Sequence, residues 1–410
     1  MTAHLRFFLP LLYLAIPAFS QVVPYRVSNA AELQALLRNP VDSVEIELAP
    51  GAYHLTPIVI TDSTCGNCEN PDTLISATAG LVITGRYVRL SGPPDHSAII
   101  HTHAGYGLFF RGCERGIVEH LTLTDGVRDP SPQATDAAIV VKNSAVTIRH
   151  NRIVNNIGDS TLLAQNIVGI MGICGRENSR LEITDNYIVR NSWDGIALYR
   201  DAVAEIRHNL IDGVDKATAR IPGGGRGVGI GITWNARAIV EENRVTRYWK
   251  GIGIFVNARV TARRNIVEDV LTWGIAYWDA GRGKPVGIIE NNLIFQTGAC
   301  GASITRQAPG RSPGRFVGNV LIRTAQNPKY DPPDYYCQQC ALALESVPKN
   351  FLIADNRFFE NRRATPDLPD YDLSEQEFRQ VVPEIMEKFR HHPFFADSRV
   401  AAFLKQFGKP

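Results

Sequence analysis

Two residues of opposite charge occupy matching places in a repeated phrase of this sequence. Asp194 stands directly before Gly195-Ile-Ala-Leu198, and Lys250 stands directly before Gly251-Ile-Gly-Ile254. A lysine whose pKa is lowered by burial can remove a proton, and a nearby carboxylate can hold its ammonium form. The pair therefore predicts an acid–base site, with Lys250 as the base and Asp194 as its partner or as a ligand of a Ca²⁺ ion.

Three arginines near these phrases are candidates for contact with an acidic substrate. Arg200 and Arg306 could neutralise its carboxylate, because a guanidinium binds a carboxylate through two parallel hydrogen bonds, and Arg226 is predicted to bind the substrate. Arg200 and Arg306 each follow a strand-like segment. Arg226 lies in the glycine-rich segment 223–231, which has no βαβ surroundings and is predicted to be a flap and not a dinucleotide-binding loop.

All five tryptophans lie beside the repeated phrase. Flat aromatic faces suit the apolar side of sugar rings, although such rings can equally pack beneath loops. The sequence favours a sugar-binding platform made of Trp193, Tyr199, Trp234, Trp249, Trp273 and Trp278.

Two other carboxylates, Asp201 and Asp279, could form a pair for glycoside hydrolysis. Each precedes an alanine, and Asn235 and Asn257 fill the same place in neighbouring repeats. Aspartate and asparagine interchange where a turn needs a side chain that bonds its own backbone. We therefore predict that these residues form turns.

The sequence contains seven cysteines, four of them in two close pairs. Cys65 and Cys68 form one pair, and Cys337 and Cys340 form the other. Two short-range disulfides are favoured over zinc binding or free thiols, because the repeat places the pairs near opposite ends of the molecule.

The elements that must position these residues follow from a second phrase, in which β-branched or charged residues precede an asparagine and an apolar pair. It reads VTIRHNRIV at 146–154 and LEITDNYIV at 181–189. The tightest spacings of its asparagines, 22 and 23 residues, suit three short strands and three turns. The asparagines are Asn151, Asn186, Asn209, Asn243, Asn265, Asn292, Asn319 and Asn356.

These repeats predict a single domain of stacked three-strand coils, nine or ten in number, with the asparagines forming a buried ladder. The Gly-Ile phrases alternate small and large residues, as expected for a strand with one buried face. Their small residues should leave open space above the strand. Inserted loops at 125–136, 156–167, 212–227 and 324–340 would wall one side of this groove, and those at 279–285 and 305–314 the other.

Helices are predicted at both ends of the rod. Asn29 and Glu32 form a capping pattern before a short helix, Ala30 to Leu37, that would cover the first coil. Ser374 and Glu377 repeat the pattern before a helix to about Arg390, interrupted near Pro383, and a further helix is expected near 398–406. This tail would cover the last coil or fold along the side.

The first twenty residues are predicted to be a cleaved signal peptide, with a basic start, an apolar run at 7–19 and Ser20 at the cleavage site. Secretion or export to a periplasm follows, with the β-helix at 21–362 and the tail at 363–410. The near-neutral net charge of +2 argues against nucleic acid as a partner, and no later segment is apolar enough to span a membrane. We expect a monomer.

The repeats over about residues 22–362 resemble the pectin lyase-like superfamily, specifically its secreted right-handed parallel β-helix repeat proteins of bacterial type. The resemblance implies an all-β, right-handed parallel β-helix and a polysaccharide, often acidic, as the partner. The paired aspartates of polygalacturonases are missing, and Asp129-Pro130 is followed by Ser131 where mannuronan epimerases have histidine.

Three functions remain open at this point. The favoured one is cleavage of a uronate-containing polysaccharide by β-elimination, with Lys250 as base and Arg200 and Arg306 neutralising the uronate. The alternatives are a glycoside hydrolase that uses Asp194 with another carboxylate, and a polysaccharide-binding surface protein without catalysis.

Overall fold

The computed structural model of the protein describes residues 24–159, 161, 168–213, 227–305, 313–331 and 338–408. The predicted signal peptide, Arg226, Arg306 and Cys337 lie outside these residues. Within them no helix is long and apolar enough to cross a membrane.

The described chain is built almost entirely from short parallel strands. In chain order they are β1 (Tyr25–Val27), β2 (Val41–Leu48), β3 (Gly51–His54), β4 (Ile58–Asp62), β5 (Ile75–Ser91), β6 (Ala98–His101), β7 (Tyr106–Glu119), β8 (Thr122–Thr124), β9 (Ala137–Lys142), β10 (Ala145–Arg149), β11 (Arg152–Val154), β12 (Met171–Arg176), β13 (Arg180–Thr184), β14 (Tyr187–Val189), β15 (Ile196–Leu198), β16 (Val203–Arg207), β17 (Leu210–Asp212), β18 (Val228–Ile232), β19 (Arg237–Glu241), β20 (Arg244–Thr246), β21 (Lys250–Phe255), β22 (Arg259–Arg263), β23 (Ile266–Glu268), β24 (Trp273–Trp278), β25 (Val286–Glu290), β26 (Leu293–Phe295), β27 (Cys300–Thr305), β28 (Gly314–Val317), β29 (Val320–Ile322), β30 (Leu342–Glu345), β31 (Phe351–Ala354) and β32 (Arg357–Phe359).

Each complete coil contributes one strand to each of three faces, as predicted. The first face contains the Gly-Ile strands β9, β12, β15, β18, β21, β24, β27 and β30, preceded by the first halves of β5 and β7. The second face contains β2, the second halves of β5 and β7, and β10, β13, β16, β19, β22, β25, β28 and β31. The third face is a separate sheet of eleven strands from β3 to β32.

The described chain has ten strands on the first face and eleven on the third. Ten three-strand coils are therefore complete, within the nine or ten predicted, and β2 with β3 forms an incomplete coil at the N-terminal end. The coils before Asn151 contribute no asparagine to the buried ladder, which begins at that residue.

The asparagine ladder forms as predicted at the corner between the second and third faces. The side-chain amide of Asn209 donates to Oδ1 of Asn243 at 2.9 Å, and Asn186 donates to Asn209 at 3.0 Å. The same bond continues to Asn356, so that eight asparagines form one chain. Each satisfies backbone groups that the corner would otherwise bury without a partner.

Three helices flank the strands in the described residues: α1 (Ala30–Leu36), α2 (Glu375–Phe389) and α3 (Arg399–Leu404). Asn29 caps α1, and Ser374 and Glu377 form the predicted capping box of α2. The predicted interruption at Pro383 is wrong, because α2 continues through it. Burial of Phe378, Val382 and Ile385 on that helix offsets the backbone hydrogen bond that proline lacks.

The helical tail lies along the side of the rod. Apolar residues of α2 and α3 pack on the outer side of the third face, where the ring of Phe378 stacks on that of Phe359 with centroids 3.8 Å apart. The buried carboxylate of Glu268 accepts hydrogen bonds from the backbone amides of Arg399 and Val400 at the start of α3. The two helices of the tail and the first face therefore occupy different sides of the molecule.

Candidate functional site

The register of the first face brings the two predicted acid–base residues into one column. Ile196 pairs with Ile230, and Val228 pairs with Lys250, so Asp194, Val228 and Lys250 hold the same position in successive coils. At a strand spacing of about 4.8 Å, the Asp194 and Lys250 backbones lie about 10 Å apart. Both side chains are nearly buried, at 5% and 7% exposure.

An N-terminal hairpin covers part of this face, and the repeat gave no sign of it. We name residues 58–79 the arm: β4, a loop, and the start of β5, with Ile58 paired antiparallel to Ala79. The predicted disulfide between Cys65 and Cys68 is confirmed and closes the loop. Cys65, Ile75 and Ala77 of the arm pack on a row of outward-facing residues, namely Phe109, Val140, Cys174 and Ala197.

The arm is held by residues from much later coils, three of which were predicted to bind substrate or neutralise it. The Arg200 guanidinium donates to the carbonyls of Gly66 at 3.2 Å and Glu69 at 3.4 Å. Trp234 Nε1 donates to Asn67 Oδ1 at 3.0 Å, and Trp193 packs against the same cluster. Further contacts join Arg176 to the Thr64 carbonyl and Arg282 to Glu69.

A buried group of charges anchors the base of the arm. Asp62 is 3% exposed and pairs with both Lys142 and Arg176, which project from neighbouring coils of the first face. Tyr106 donates its hydroxyl to the same carboxylate at 3.1 Å. Since one buried carboxylate serves two buried cations, this contact fixes the arm in place.

Beyond the arm, Asp194 has the features of a proton-transfer group. Burial raises the pKa of Asp194 to about 7, although the amide of Val228 and the charge of Lys250 both act to lower it. The carboxylate accepts the Val228 amide at 2.6 Å. A methyl group at Gly227 would overlap Asp194 Oδ1, so glycine is required directly before β18.

Lys250 lies among three tryptophans of the predicted platform. Its Nζ is 3.2 Å from the ring centroid of Trp249, 5.0 Å from that of Trp273 and 5.6 Å from that of Trp278. Aromatic faces stabilise an ammonium group that has lost part of its hydration. The indole nitrogen of Trp273 is buried and has no hydrogen-bond partner within the described part of the chain.

The platform therefore divides into two groups. Trp193, Tyr199 and Trp234 pack with the arm, whereas Trp249, Trp273 and Trp278 form a separate cluster around Lys250. Tyr199 is 4% exposed, and burial raises the pKa of its hydroxyl well above the usual value.

The aromatic rings lie over the small residues of the first face, so this face has less open space than predicted. A Cβ at Gly253 would overlap the ring of Phe255, which folds back over the strand. Trp278 Nε1 donates to Ser303 Oγ at 3.0 Å, so this ring also lies across the small residues. Phe255 and Ser303 therefore contribute to the candidate site, as their positions at the end of one Gly-Ile strand and within another indicate.

The turn assignment of Asp279 agrees with its contacts, because its carboxylate accepts the backbone amide of Gly281 at 3.0 Å. Asp201 is exposed and has a left-handed backbone with a φ of 62°. Within the described residues no three His, Cys, Asp or Glu side chains are grouped to hold a metal ion. A Ca²⁺ ion at Asp194 remains a prediction.

Comparisons with solved structures find distant similarities. The periplasmic alginate epimerase AlgG gives a TM-score of 0.48 at 11% identity, covering 78% of this chain and 70% of that one. An exopolygalacturonase from Thermotoga maritima gives 0.44 at 12%, covering 83% and 94%. An alginate lyase from Paenibacillus sp. gives 0.40 at 16%, covering 81% and 98%.

No curated protein sequence matches the chain. The family model described as "Right handed beta helix region" matches residues 45–226 and 169–312, which together span more than half of the sequence. The chain belongs to the right-handed parallel β-helix family, as its resemblance to the pectin lyase-like superfamily predicted.

Proposed function

We propose that this protein is an exported carbohydrate-active enzyme that cleaves a uronate-containing polysaccharide by β-elimination at the Asp194–Lys250 site. The observation that carries the proposal is a buried carboxyl group with a pKa of about 7 beside a lysine set among three tryptophans. A group with a pKa near neutrality is suited to accept and return a proton.

The surroundings of Lys250 favour an acidic sugar as the substrate. The tryptophan rings offer flat faces for sugar rings, and the ammonium group supplies a positive charge for a uronate carboxylate. The unpartnered indole nitrogen of Trp273 would donate to a hydroxyl or carboxylate oxygen of that sugar.

The structure favours a different division of roles from the one predicted from sequence. The donors of Arg200 bond to the arm, so the neutralising charge passes to Lys250, and Asp194 becomes the base. Asp194 removes the proton at C5, the electron pair forms the C4–C5 double bond, and the C4–O bond breaks. The carboxyl group then returns its proton to the leaving oxygen.

The test is incubation of the purified protein with polygalacturonate, alginate and a neutral glucan, followed by ultraviolet absorbance of the unsaturated product and by reducing-end release. Both signals should rise on an acidic polymer. Asp194→Asn should reduce the rate at least about 100-fold, as expected for loss of a general base. Lys250→Gln should also lower it, whereas Asp201→Asn, at an exposed turn, should not.

Other outcomes would contradict the proposal in identifiable ways. Reducing ends without absorbance would indicate a hydrolase. Retention on an acidic polysaccharide gel with no product from any polymer would indicate a binding protein. The packing of the arm on the first face is also compatible with such a function. Size-exclusion chromatography of the same sample would test whether the protein is a monomer.

A further inference from the structure

The second face carries a row of exposed arginines at one position of the repeat. Ala145, Arg180, Val203, Arg237 and Arg259 pair in turn across successive strands from β10 to β22. Arg115 precedes Gly116, which pairs with Val146, and therefore begins the same column one coil earlier. We name Arg115, Arg180, Arg237 and Arg259 the arginine row. All four are exposed.

The charges of this row are not balanced as those of its neighbours are. At the opposite edge of the face, arginines and glutamates alternate, and Glu241 pairs with both Arg207 and Arg263. In the described chain no ion pair joins any member of the row to an acid. Among the described residues, the one cation–π contact of the row is that of Arg115 with Tyr87, at 5.4 Å.

The row borders a shallow groove that runs along the rod axis. Two adjoining depressions of about 710 and 230 Å³ share Val203, Ala204 and Glu205, and together they reach from Arg115 to Ile288. Their floor includes apolar side chains, among them Val203 at 45% exposure, and two exposed carboxylates, Glu182 and Glu205. The stacked strands fix the spacing of the arginines at about 5 or 10 Å, a regular spacing that suits a repeating ligand.

We propose that the second face is a binding site for a linear anionic polysaccharide, which lies along the groove with its acidic groups on the arginine row. This site is separate from the first face and does not depend on cleavage there. The repeating acidic groups of the polymer pair with the regularly spaced guanidinium groups, and the apolar side chains of the floor pack against the faces of the sugar rings. Nucleic acid is disfavoured, because the excess charge is one narrow row on a chain of net charge +2.

The experiment compares two triple variants by affinity gel electrophoresis in gels containing polygalacturonate, alginate or neutral dextran. The test variant is Arg180→Gln/Arg237→Gln/Arg259→Gln. The control is Arg152→Gln/Arg379→Gln/Arg390→Gln, which removes the same charge from exposed positions away from the second face. Both carry Asp194→Asn to prevent cleavage, and thermal unfolding checks that both are folded.

The parent protein, with Asp194→Asn and an intact arginine row, should bind an acidic polymer and should not bind dextran. The test variant should bind about tenfold more weakly, the effect of losing three exposed ion pairs, while the control variant binds as its parent does. Equal binding by both variants, or tighter binding of duplex DNA than of any polysaccharide, overturns the proposal. Failure of the proposed cleavage would instead appear as absence of product, with binding to the row unaffected.

Discussion

At the scale of single residues, the ladder asparagines show how one side chain can connect three coils. Oδ1 of Asn209 accepts the backbone and side-chain amides of Asn186, and its own amide donates to Asn243 and to the carbonyls of Ile183 and Arg207. No other residue type offers this combination of donors and acceptor in so short a side chain.

This geometry predicts that an asparagine inside the ladder contributes more to the free energy of unfolding than the last asparagine does. Asn209→Ala breaks five hydrogen bonds in a buried corner and should lower the free energy of unfolding by about 3 kcal/mol or more. Asn356→Ala breaks three at a half-buried corner and should cost about 1–2 kcal/mol. Urea denaturation of the two variants measures the difference. Equal losses would show that the ladder bonds are not the source of the stability.

The raised pKa of Asp194 predicts a stability that depends on pH. Its pKa is about 7 in the folded protein and near 3.8 when unfolded, so its contribution is fully present below pH 4 and is lost as pH rises through 7. The free energy of unfolding of the wild-type protein should therefore fall between pH 5 and pH 8. In Asp194→Asn this fall should be smaller by about 1–3 kcal/mol. Chemical denaturation at both pH values tests this, with Asp201→Asn as the control that keeps the wild-type slope.

At the scale of elements, the arm decides how much of the first face a polymer can reach. It lies over the early coils as far as Ala197, in the coil of Asp194, and contacts Trp234 and Arg282 beyond the C-terminal ends of β18 and β24. A chain bound at that site cannot continue under the arm. On the proposed function, the enzyme should therefore act near a chain end.

The expected products are short fragments from the first minutes of reaction, with a slow fall in viscosity. Arg200→Ala/Trp234→Ala removes the arm contacts near the site and should shift cleavage toward the interior, so that viscosity falls faster for each bond broken. Lys284→Ala, an exposed residue of a nearby turn, should leave the ratio unchanged. A fast fall in viscosity already present in the wild-type protein would contradict this mode of action.

At the scale of the whole molecule, the stacked coils form a rod about 50 Å long, and the helices of the tail shield one of its sides. The outer surface of the third face is apolar near Ile266, Phe295 and Phe359, and α2 and α3 bury it. An uncovered apolar surface of this kind promotes association.

Phe378→Asp places a charge against this surface and should destabilise docking of the tail by about 3–5 kcal/mol, as for loss of a buried aromatic side chain. We expect increased binding of a hydrophobic dye and association during size-exclusion chromatography. Gln380→Asp, on the exposed side of the same helix, should behave like the wild-type protein. If the Phe378→Asp variant stays monomeric and does not bind the dye, the tail is not needed to cover the apolar surface of the third face.

The extent to which sequence predicts this molecule follows from its periodicity. Repeated positions become neighbours, so the ladder and the column containing Asp194 and Lys250 were predictable from spacing alone. The arm was not, because residues 58–79 lack the repeat and bind side chains contributed by many coils. The contacts of Arg200 with the arm were not predictable for the same reason. The arginine row was present in the phrase itself, six residues before Asn186, Asn243 and Asn265.

The long reach of the arm also has a consequence for the order of assembly. Asn67 and Trp234 are separated by 167 positions in the chain, so their contact cannot form until the intervening coils exist. Stacking of neighbouring coils can begin anywhere along a solenoid. The contact that closes the large loop between Asn67 and Trp234 can form only after those coils have stacked. During refolding, we expect the fluorescence of Trp234 to reach its native value in a late kinetic phase. The circular dichroism signal of the β-strands should be complete before that phase.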